Sequence, residues 1–222
     1  MMFSWLFGSK QKQKDQLFEK VKKILDDEAY QTSLEPTAEL QRKGLNVDIL
    51  PNTAGEFGSA TNPIPVNGVL GEMTYLSRLE TLDGQRIFFH RYCSISSIDI
   101  YEVVTFGSNE WRILCFDMYH PRRSKLAPAG FRVSNEVRQF SGFNHYCQQF
   151  PYDFENEKAK NTLGDLISLG YIAPSIVLKH LNECQFIRSD EQKYKLEVIE
   201  KARAAFMANN NELFIELITK VD

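Results

Sequence analysis

The chain has 222 residues, of which 43% are apolar and 25% charged, and this composition excludes a disordered or low-complexity protein. Its formal net charge of −3 at pH 7 excludes the chain-wide positive field of a protein that coats nucleic acid. Because no stretch of about eighteen apolar residues occurs, we expect no membrane-spanning helix.

The four cysteines are too widely spaced to form a C-x-x-C pair, which removes the usual sequence signal for a zinc or redox site. They are Cys93, Cys115, Cys147 and Cys184. The apolar run within Met1–Gly8 is too short for a secretory leader, and no basic residue precedes it. We therefore expect a cytoplasmic protein with free thiols, no metal and no cofactor.

Residues 1–13 form the first of four segments and are expected to be a flexible tip. Their apolar side chains are followed by three lysines. A frayed end that packs on the body is one interpretation. The alternative is a weak peripheral membrane contact, with aromatic rings among lipid headgroups and lysines on anionic lipid. The residues that would make this contact are Phe3, Trp5, Leu6 and Phe7.

Residues 14–65 are expected to hold an N-terminal helix and an irregular connection. Apolar residues from Leu17 to Leu25 recur at helical spacing, with lysines on the opposite side. A short helix is predicted over 38–43. The stretch 51–65 contains three prolines and two glycines, which favour an extended, irregular path.

Residues 66–133 are predicted to form an antiparallel four-stranded β-meander. The predicted strands cover 70–79, 86–95, 98–106 and 111–119, and several are rich in β-branched and aromatic side chains. Asp83-Gly84 is a strong turn signal between the first two, and the stretch from Gly107 to Glu110 turns the chain between the last two. Pro121 ends the last strand.

Residues 134–222 are predicted to be helical and to pack on the sheet. An aromatic stripe of Phe140, Phe143, Tyr146 and Phe150 predicts a helix over 142–154 that contributes to the core, or alternatively lines a pocket. Further helices are predicted over 161–170 and after Pro174. Another opens at a capping box formed by Ser189 and Gln192, and a short last helix follows Asn209. The order of elements indicates an α+β fold covered by several short helices, as one compact unit.

Three polar side chains are the best candidates for catalysis: His90, Asp117 and His120. A proton-transfer pair or a metal site needs such groups in one cleft, with histidine titrating near neutral pH. Asp117 and His120 are an odd number of residues apart, so a regular strand would point them to opposite faces. The alternative is structural, with His90 half-buried and His120 bonded to a turn.

A basic loop follows the last predicted strand, with Arg122, Arg123 and Lys125 within four residues. The planar guanidinium group suits phosphate or carboxylate, so these residues are candidates for binding an anion. The alternative is that the arginines form ion pairs with acidic residues of the helical half. Sequence-specific recognition of nucleic acid is not expected, because the nearby aromatic residues look like sheet core.

No dinucleotide, phosphate-loop, nucleophile-elbow or zinc-protease motif is present, so the sequence does not decide whether the protein is an enzyme. The leading hypothesis is a non-enzymatic module that binds a protein partner or a second copy of itself. The alternative is a small hydrolase for a phosphorylated or acidic substrate. In it, His90, Asp117 and His120 would do the chemistry and Arg122 and Arg123 would clamp the anion.

Overall fold

The computed structural model describes residue 23 and residues 25–135, 141–152 and 180–221. The principal helices in these ranges are α1 (Glu28–Leu34), α2 (Ala38–Lys43), α3 (Gly68–Arg78), α4 (Asp190–Met207) and α5 (Asn211–Ile218). The strands are β1 (Ile64–Pro65), β2 (Leu79–Thr81), β3 (Ile87–Ile95), β4 (Ile98–Thr105), β5 (Trp111–Asp117), β6 (Phe131–Val133) and β7 (Gly142–Phe143). The fold is therefore α+β.

The main sheet is mixed and has the strand order β1-β5-β4-β3-β7. Its centre is the predicted antiparallel meander of β3, β4 and β5. The two-residue strands β1 and β7 add to the two sides in parallel orientation. A separate two-stranded sheet pairs β2 with β6. The sheet is thus not the four-stranded antiparallel meander that the sequence predicted.

The predicted first strand over 70–79 is wrong, because these residues form most of α3. Nine of the eleven residues of α3 are buried, including polar ones such as Glu72 and Thr74. Apolar residues of α3, including Leu70, Met73 and Leu76, do recur at helical spacing, but the polar residues buried among them gave the stretch the look of a strand with alternating side chains. The predicted turn does form, with the Gly84 N–H donating to the Thr81 carbonyl at 2.9 Å. It joins β2 to β3, which do not pair with each other.

The predicted helix over 142–154 is also wrong in its described part. Residues 142–143 form β7 against β3, and the chain then turns through 148–152. Gly142 explains the close pairing, because a Cβ atom there would lie 2.1 Å from the Phe89 carbonyl oxygen. The core role predicted for the aromatic stripe fits Phe143 and Phe150, which are buried, whereas Tyr146 is 53% exposed. Phe140 lies outside the described residues.

The C-terminal helices agree with the sequence. The capping box at the start of α4 is present, with Ser189 accepting from the Gln192 N–H and Gln192 accepting from the Ser189 N–H. Helix α4 ends at Met207, and α5 begins at Asn211. The tip 1–13, the helix over 161–170 and nearly all of the helices predicted over 15–25 and 174–181 lie outside the described residues. None of the described helices combines the length and apolar character needed to cross a bilayer.

The sheet separates two hydrophobic clusters. On one face, which we call the α3 face, Tyr101 and Val103 of β4 pack with Met73 of α3. On the other, the α4 face, Ile100 packs with Ile199 of α4. Adjacent residues of β4 therefore enter different cores, as the two-residue repeat of a strand requires. Full burial of each large apolar side chain stabilises the fold by about 1.5–3 kcal/mol.

Candidate functional site

Asp117 and His120 lie together at the end of β5. The strand ends at Asp117, and the irregular backbone beyond it brings His120 Nε2 to 3.5 Å from Asp117 Oδ2. The other ring nitrogen of His120 is 2.9 Å from the Leu45 carbonyl oxygen. His120 is 5% exposed, so the pair joins the end of β5 to the segment after α2.

His90 belongs to a different part of the sheet. It lies opposite Glu102 on β4, which in turn lies opposite Ile113 on β5. Asp117 is four residues further along β5, which corresponds to about 13 Å at the usual rise of a strand. The three predicted catalytic residues therefore do not line one cleft. Within the described ranges, no group of three or more His, Cys, Asp or Glu side chains is arranged to hold a metal ion.

Arg122 is engaged within the chain. Its Nη1 lies 2.5 Å from Asp48 Oδ1, and its Nε donates to Asn46. The hydrogen bond from Arg122, together with one from the Lys125 backbone N–H, lowers the pKa of Asp48. The Lys125 side chain is exposed and has no ion-pair partner among the described residues. Of the predicted anion-binding residues, Lys125 alone presents its charged group to solvent.

Arg123 is buried, with 8% of its surface exposed. Its Nη1 donates to Gln31 Oε1 at 2.7 Å, and its Nη2 lies 3.2 Å from Glu28 Oε1. Burial lowers the pKa of Arg123 to about 10, which leaves it charged at neutral pH. The acidic partners of the two arginines lie in the N-terminal segment, not in the helical half. The basic loop therefore fastens that segment to the sheet.

The α4 face buries a charged network centred on Glu102, which is 0% exposed. His90 Nε2 lies 2.7 Å from Glu102 Oε2, and Trp111 Nε1 donates to Glu102 Oε1 at 2.7 Å. Arg188, just before α4, donates to both carboxylate oxygens, with Nη2 at 2.8 Å from Oε2. We call these four residues the Glu102 network.

The hydrogen bonds of the Glu102 network also define its charge. Because the Cys147 backbone N–H donates to His90 Nδ1 at 2.9 Å, that nitrogen carries no proton and the ring donates from Nε2. Arg188 forms an ion pair with Glu102. Burial raises the pKa of Glu102, but the hydrogen bonds from His90 and Arg188 outweigh it and lower that pKa to about 2.

A groove of about 780 Å³ runs beside Trp111. All residues from 111 to 115 line it, and since their side chains alternate between the two faces, the groove follows the edge of β5. The loops 55–60 and 128–131 and the start of α4 form its walls. Its volume falls within the range of about 300–1,000 Å³ that is usual for ligand sites.

The edge of β5 inside this groove has free backbone groups. The Cys115 N–H donates outward to the Gly58 carbonyl at 2.8 Å, so alternate residues of β5 direct their backbone groups away from β4. Strand β1 pairs only with Phe116 and Asp117. The N–H and C=O groups of Trp111 and Ile113 therefore face the groove, and no backbone partner for them exists among the described residues.

The groove and the Glu102 network share Trp111. The indole lines the groove, while its N–H is held by the buried Glu102 carboxylate. Arg188 immediately precedes Ser189, the N-cap residue of α4, which also lines the groove. The network thus fixes both a residue of the open edge and the start of the helix opposite it.

The α3 face buries a second acidic group. Glu72 of α3 is 0% exposed, accepts a hydrogen bond from the Tyr101 hydroxyl at 2.8 Å, and lies against Asp99 of β4. Burial, followed by the negative charge of Asp99, raises the pKa of Glu72 well above its usual value. Arg91 pairs with Asp99 at 3.0 Å rather than with Glu72. We call these four residues the Glu72 network.

None of the sequence predictions includes the groove. Arg112 interrupts the apolar run of the strand Trp111–Asp117, but Asp99 and Glu102 lie within the central strand β4, so a charge within a strand does not by itself indicate a sheet edge. The walls of the groove come from loops distant in sequence and have no local signature.

Comparison of the chain with protein-family models, with curated proteins and with solved structures finds no match.

Proposed function

We propose that the protein is a non-enzymatic module that binds an extended segment of a protein partner by strand addition to the open edge of β5. In strand addition, a peptide pairs with a sheet edge through main-chain hydrogen bonds, and pockets for alternate side chains give specificity. The observation that carries the proposal is the set of outward N–H and C=O groups of Trp111 and Ile113, which face a groove of about 780 Å³.

The surroundings of this edge favour an extended ligand. Phe57 and Phe131 line the groove beside the apolar side chains of β5 and offer contacts to alternate residues of a bound strand. At the end of the open edge, the Gly58 carbonyl occupies the position of a bound strand's carbonyl, because it accepts a hydrogen bond from the outward Cys115 N–H. Gly58 has a φ of 96°, a left-handed conformation that a side chain would strain. The loop 55–60 therefore ends the open edge at a defined position.

The alternative of a hydrolase is not carried forward. His90 lies about 13 Å along the sheet from the Asp117 and His120 pair. Arg122 is paired with Asp48 and Arg123 with Glu28, so that neither guanidinium group is available to clamp an anion. A cytoplasmic location remains part of our proposal. It is supported by the four cysteines, which are buried and form no disulfide bond, as fits a reducing compartment.

Amide hydrogen exchange on the unmodified protein tests the proposal. A displayed library of random nine-residue peptides is first selected for binding. The exchange rates of backbone amides are then compared with and without a selected peptide. We expect the Ile113 amide to exchange quickly in the free protein and to be protected in the complex. The Arg112 amide faces β4 and serves as the internal control, protected in both states.

A matched pair of variants gives a second test. Ile113→Pro removes an outward N–H without breaking a ladder hydrogen bond to β4, and proline is tolerated at such edge positions, although the variant also loses part of the packing of the isoleucine side chain. We expect it to abolish peptide binding, whereas Ile113→Val, which keeps the N–H, retains it. Unchanged binding by a folded Ile113→Pro protein, or an Ile113 amide that stays unprotected in the complex, would contradict strand addition.

A further inference from the structure

We infer that the strand added to this edge carries an acidic residue directly opposite Arg112, and that it comes from a different protein rather than from a second copy of this chain. The inference rests on the proposed strand addition and names the chemistry of the partner. It is carried by the position of one unpaired cation at the centre of the open edge.

Arg112 lies between the two residues whose backbone groups face the groove. An antiparallel strand that bonds to both Trp111 and Ile113 must place one of its residues directly opposite Arg112. The side chains of such a non-hydrogen-bonded pair are close, with Cα atoms about 4.5 Å apart. The charge of Arg112 therefore acts on a single, defined position of the bound strand.

The Arg112 side chain is exposed, and no carboxylate lies within ion-pair distance of it in the described part of the chain. This distinguishes it from Arg122 and Arg123, which are paired within the chain. Opposite charges across a strand pair are favourable and like charges are unfavourable. The preferred residue at the opposing position is therefore aspartate or glutamate.

The same geometry disfavours self-pairing. Two copies related by a two-fold axis can use both hydrogen-bonding positions of the edge only if Trp111 of one copy opposes Ile113 of the other. This register places the two Arg112 side chains directly opposite each other. An exposed charge in the middle of an edge is a known means of preventing such association.

Selection of a displayed library of random nine-residue peptides, run in parallel on wild-type and Arg112→Glu protein, tests the inference. We expect wild type to enrich aspartate or glutamate at the central position and Arg112→Glu to enrich lysine or arginine there. In an anisotropy titration of a selected peptide, replacing its acidic residue with lysine should weaken binding to wild type by about 2-fold to 30-fold. The same change should strengthen binding to Arg112→Glu.

Lys195→Glu is the matched control. Lys195 lines the same groove from α4 and its substitution changes the charge equally, but it does not lie in the strand ladder. We expect it to leave the central preference unchanged. If Lys195→Glu and Arg112→Glu shift the preference equally, or if neither shifts it, the inference is overturned while strand addition stands. If nothing is enriched above the Ile113→Pro background, both the inference and the proposed function fail.

Discussion

Strand β4 places a buried acidic residue on each face of the sheet, and the two residues have different hydrogen-bond partners. On the α4 face, Glu102 meets Arg188, His90 and Trp111, all of which donate to it. On the α3 face, Asp99 meets Glu72, so that two carboxyl groups share one small volume.

Glu102 and Glu72 are equally buried, each at 0% exposure, yet their pKa values move in opposite directions. Burial raises both. For Glu102 the hydrogen bonds from His90 and Arg188 outweigh it, whereas for Glu72 the nearby charge of Asp99 adds to it. The difference teaches that the donors around a buried carboxyl group, rather than its depth, decide whether it is ionised.

The protonation of Glu72 follows from its hydrogen bonds as well. Its Oε2 accepts from Tyr101, but its Oε1 is buried and has no partner among the described residues. The raised pKa of Glu72 favours its protonated form, whose proton supplies the donor that two adjacent carboxylates lack. Arg91 pairs with Asp99 at 3.0 Å.

The largest expected effect is that of Glu102→Gln. The amide keeps the shape of the side chain but leaves Arg188 without a counter-charge at a site where the carboxylate is fully buried. Breaking a buried ion pair from one side costs about 3–5 kcal/mol. We expect urea unfolding at pH 7 to show this loss in the free energy of unfolding.

The control for Glu102→Gln is the double variant with Arg188→Met, which removes both charges and should recover part of the loss. A loss below about 1 kcal/mol in the single variant would mean that the ion pair is solvated, and the contrast between the two faces would not hold.

The second effect is a change in pH dependence caused by Glu72→Gln. Glu72 has a raised pKa in the folded protein, so its contribution to stability is present below its unfolded pKa of about 4.5 and is lost as pH rises toward the folded value. Glutamine resembles the protonated acid and has no such loss. We expect the variant to gain stability relative to wild type as pH rises above about 4.5, by at most about 1.4 kcal/mol per pH unit.

Urea unfolding at several pH values measures this difference. Asp99→Asn is the companion variant, because it removes the negative charge that raises the pKa of Glu72. It should make the free energy of unfolding depend less steeply on pH. The pH dependence of the Glu102 contribution has the opposite direction: this contribution to stability is present above about pH 4.5 and is lost as pH falls toward about 2. A stability difference between Glu72→Gln and wild type that stays constant with pH would show that Glu72 is ionised when folded.

The third effect compares one hydrogen-bond donor from each network. Trp111→Phe removes the indole N–H from an ionised carboxylate, and a hydrogen bond to a charged group contributes about 1.5–3 kcal/mol. Tyr101→Phe removes a hydroxyl from a protonated acid, where a neutral bond contributes about 0.5–1.5 kcal/mol. We therefore expect the tryptophan donor to contribute more to the free energy of unfolding.

Double-mutant cycles separate these donor contributions from the change in side-chain size. Trp111→Phe is repeated with Glu102→Gln, and Tyr101→Phe with Glu72→Gln, so that each cycle gives the coupling of one donor to one carboxyl group. Equal coupling in the two cycles would contradict a difference in ionisation.

The sequence predicted those parts of the fold that local patterns determine. The β-branched residues of β4 and the turn around Gly107 identify the central meander, and Ser189 with Gln192 identifies the start of α4. The stretch 70–79 was assigned wrongly because polar residues such as Glu72 and Thr74, which are buried in the fold, resemble the exposed residues of an alternating strand in the sequence. The position of β7 depends on the contact of Gly142 with Phe89, which no local pattern contains.

The candidate site was less predictable for the same reason. The charges at Arg122 and Arg123 are visible in the sequence, but their partners Asp48 and Glu28 lie more than seventy residues away along the chain. Before those contacts are known, a paired arginine and an anion-binding arginine look the same. The same holds for Arg112, because the central strand β4 also carries charged residues and only the structure shows which of these charges lie at an open edge.

The smallest expected effect is that of Lys220→Gln, just after α5, which shows that the distance between charges does not decide their contribution. Lys220 Nζ lies 2.6 Å from Glu216 Oε1, closer than His90 lies to Glu102. Both groups of the α5 pair are more than half exposed, so water and salt screen the interaction. We expect no measurable change in the urea midpoint. A loss of unfolding free energy comparable to that of Glu102→Gln would mean that the distance between the charges alone sets the energy of an ion pair. Burial and the surrounding hydrogen-bond donors would then not explain why the pKa values of Glu102 and Glu72 differ.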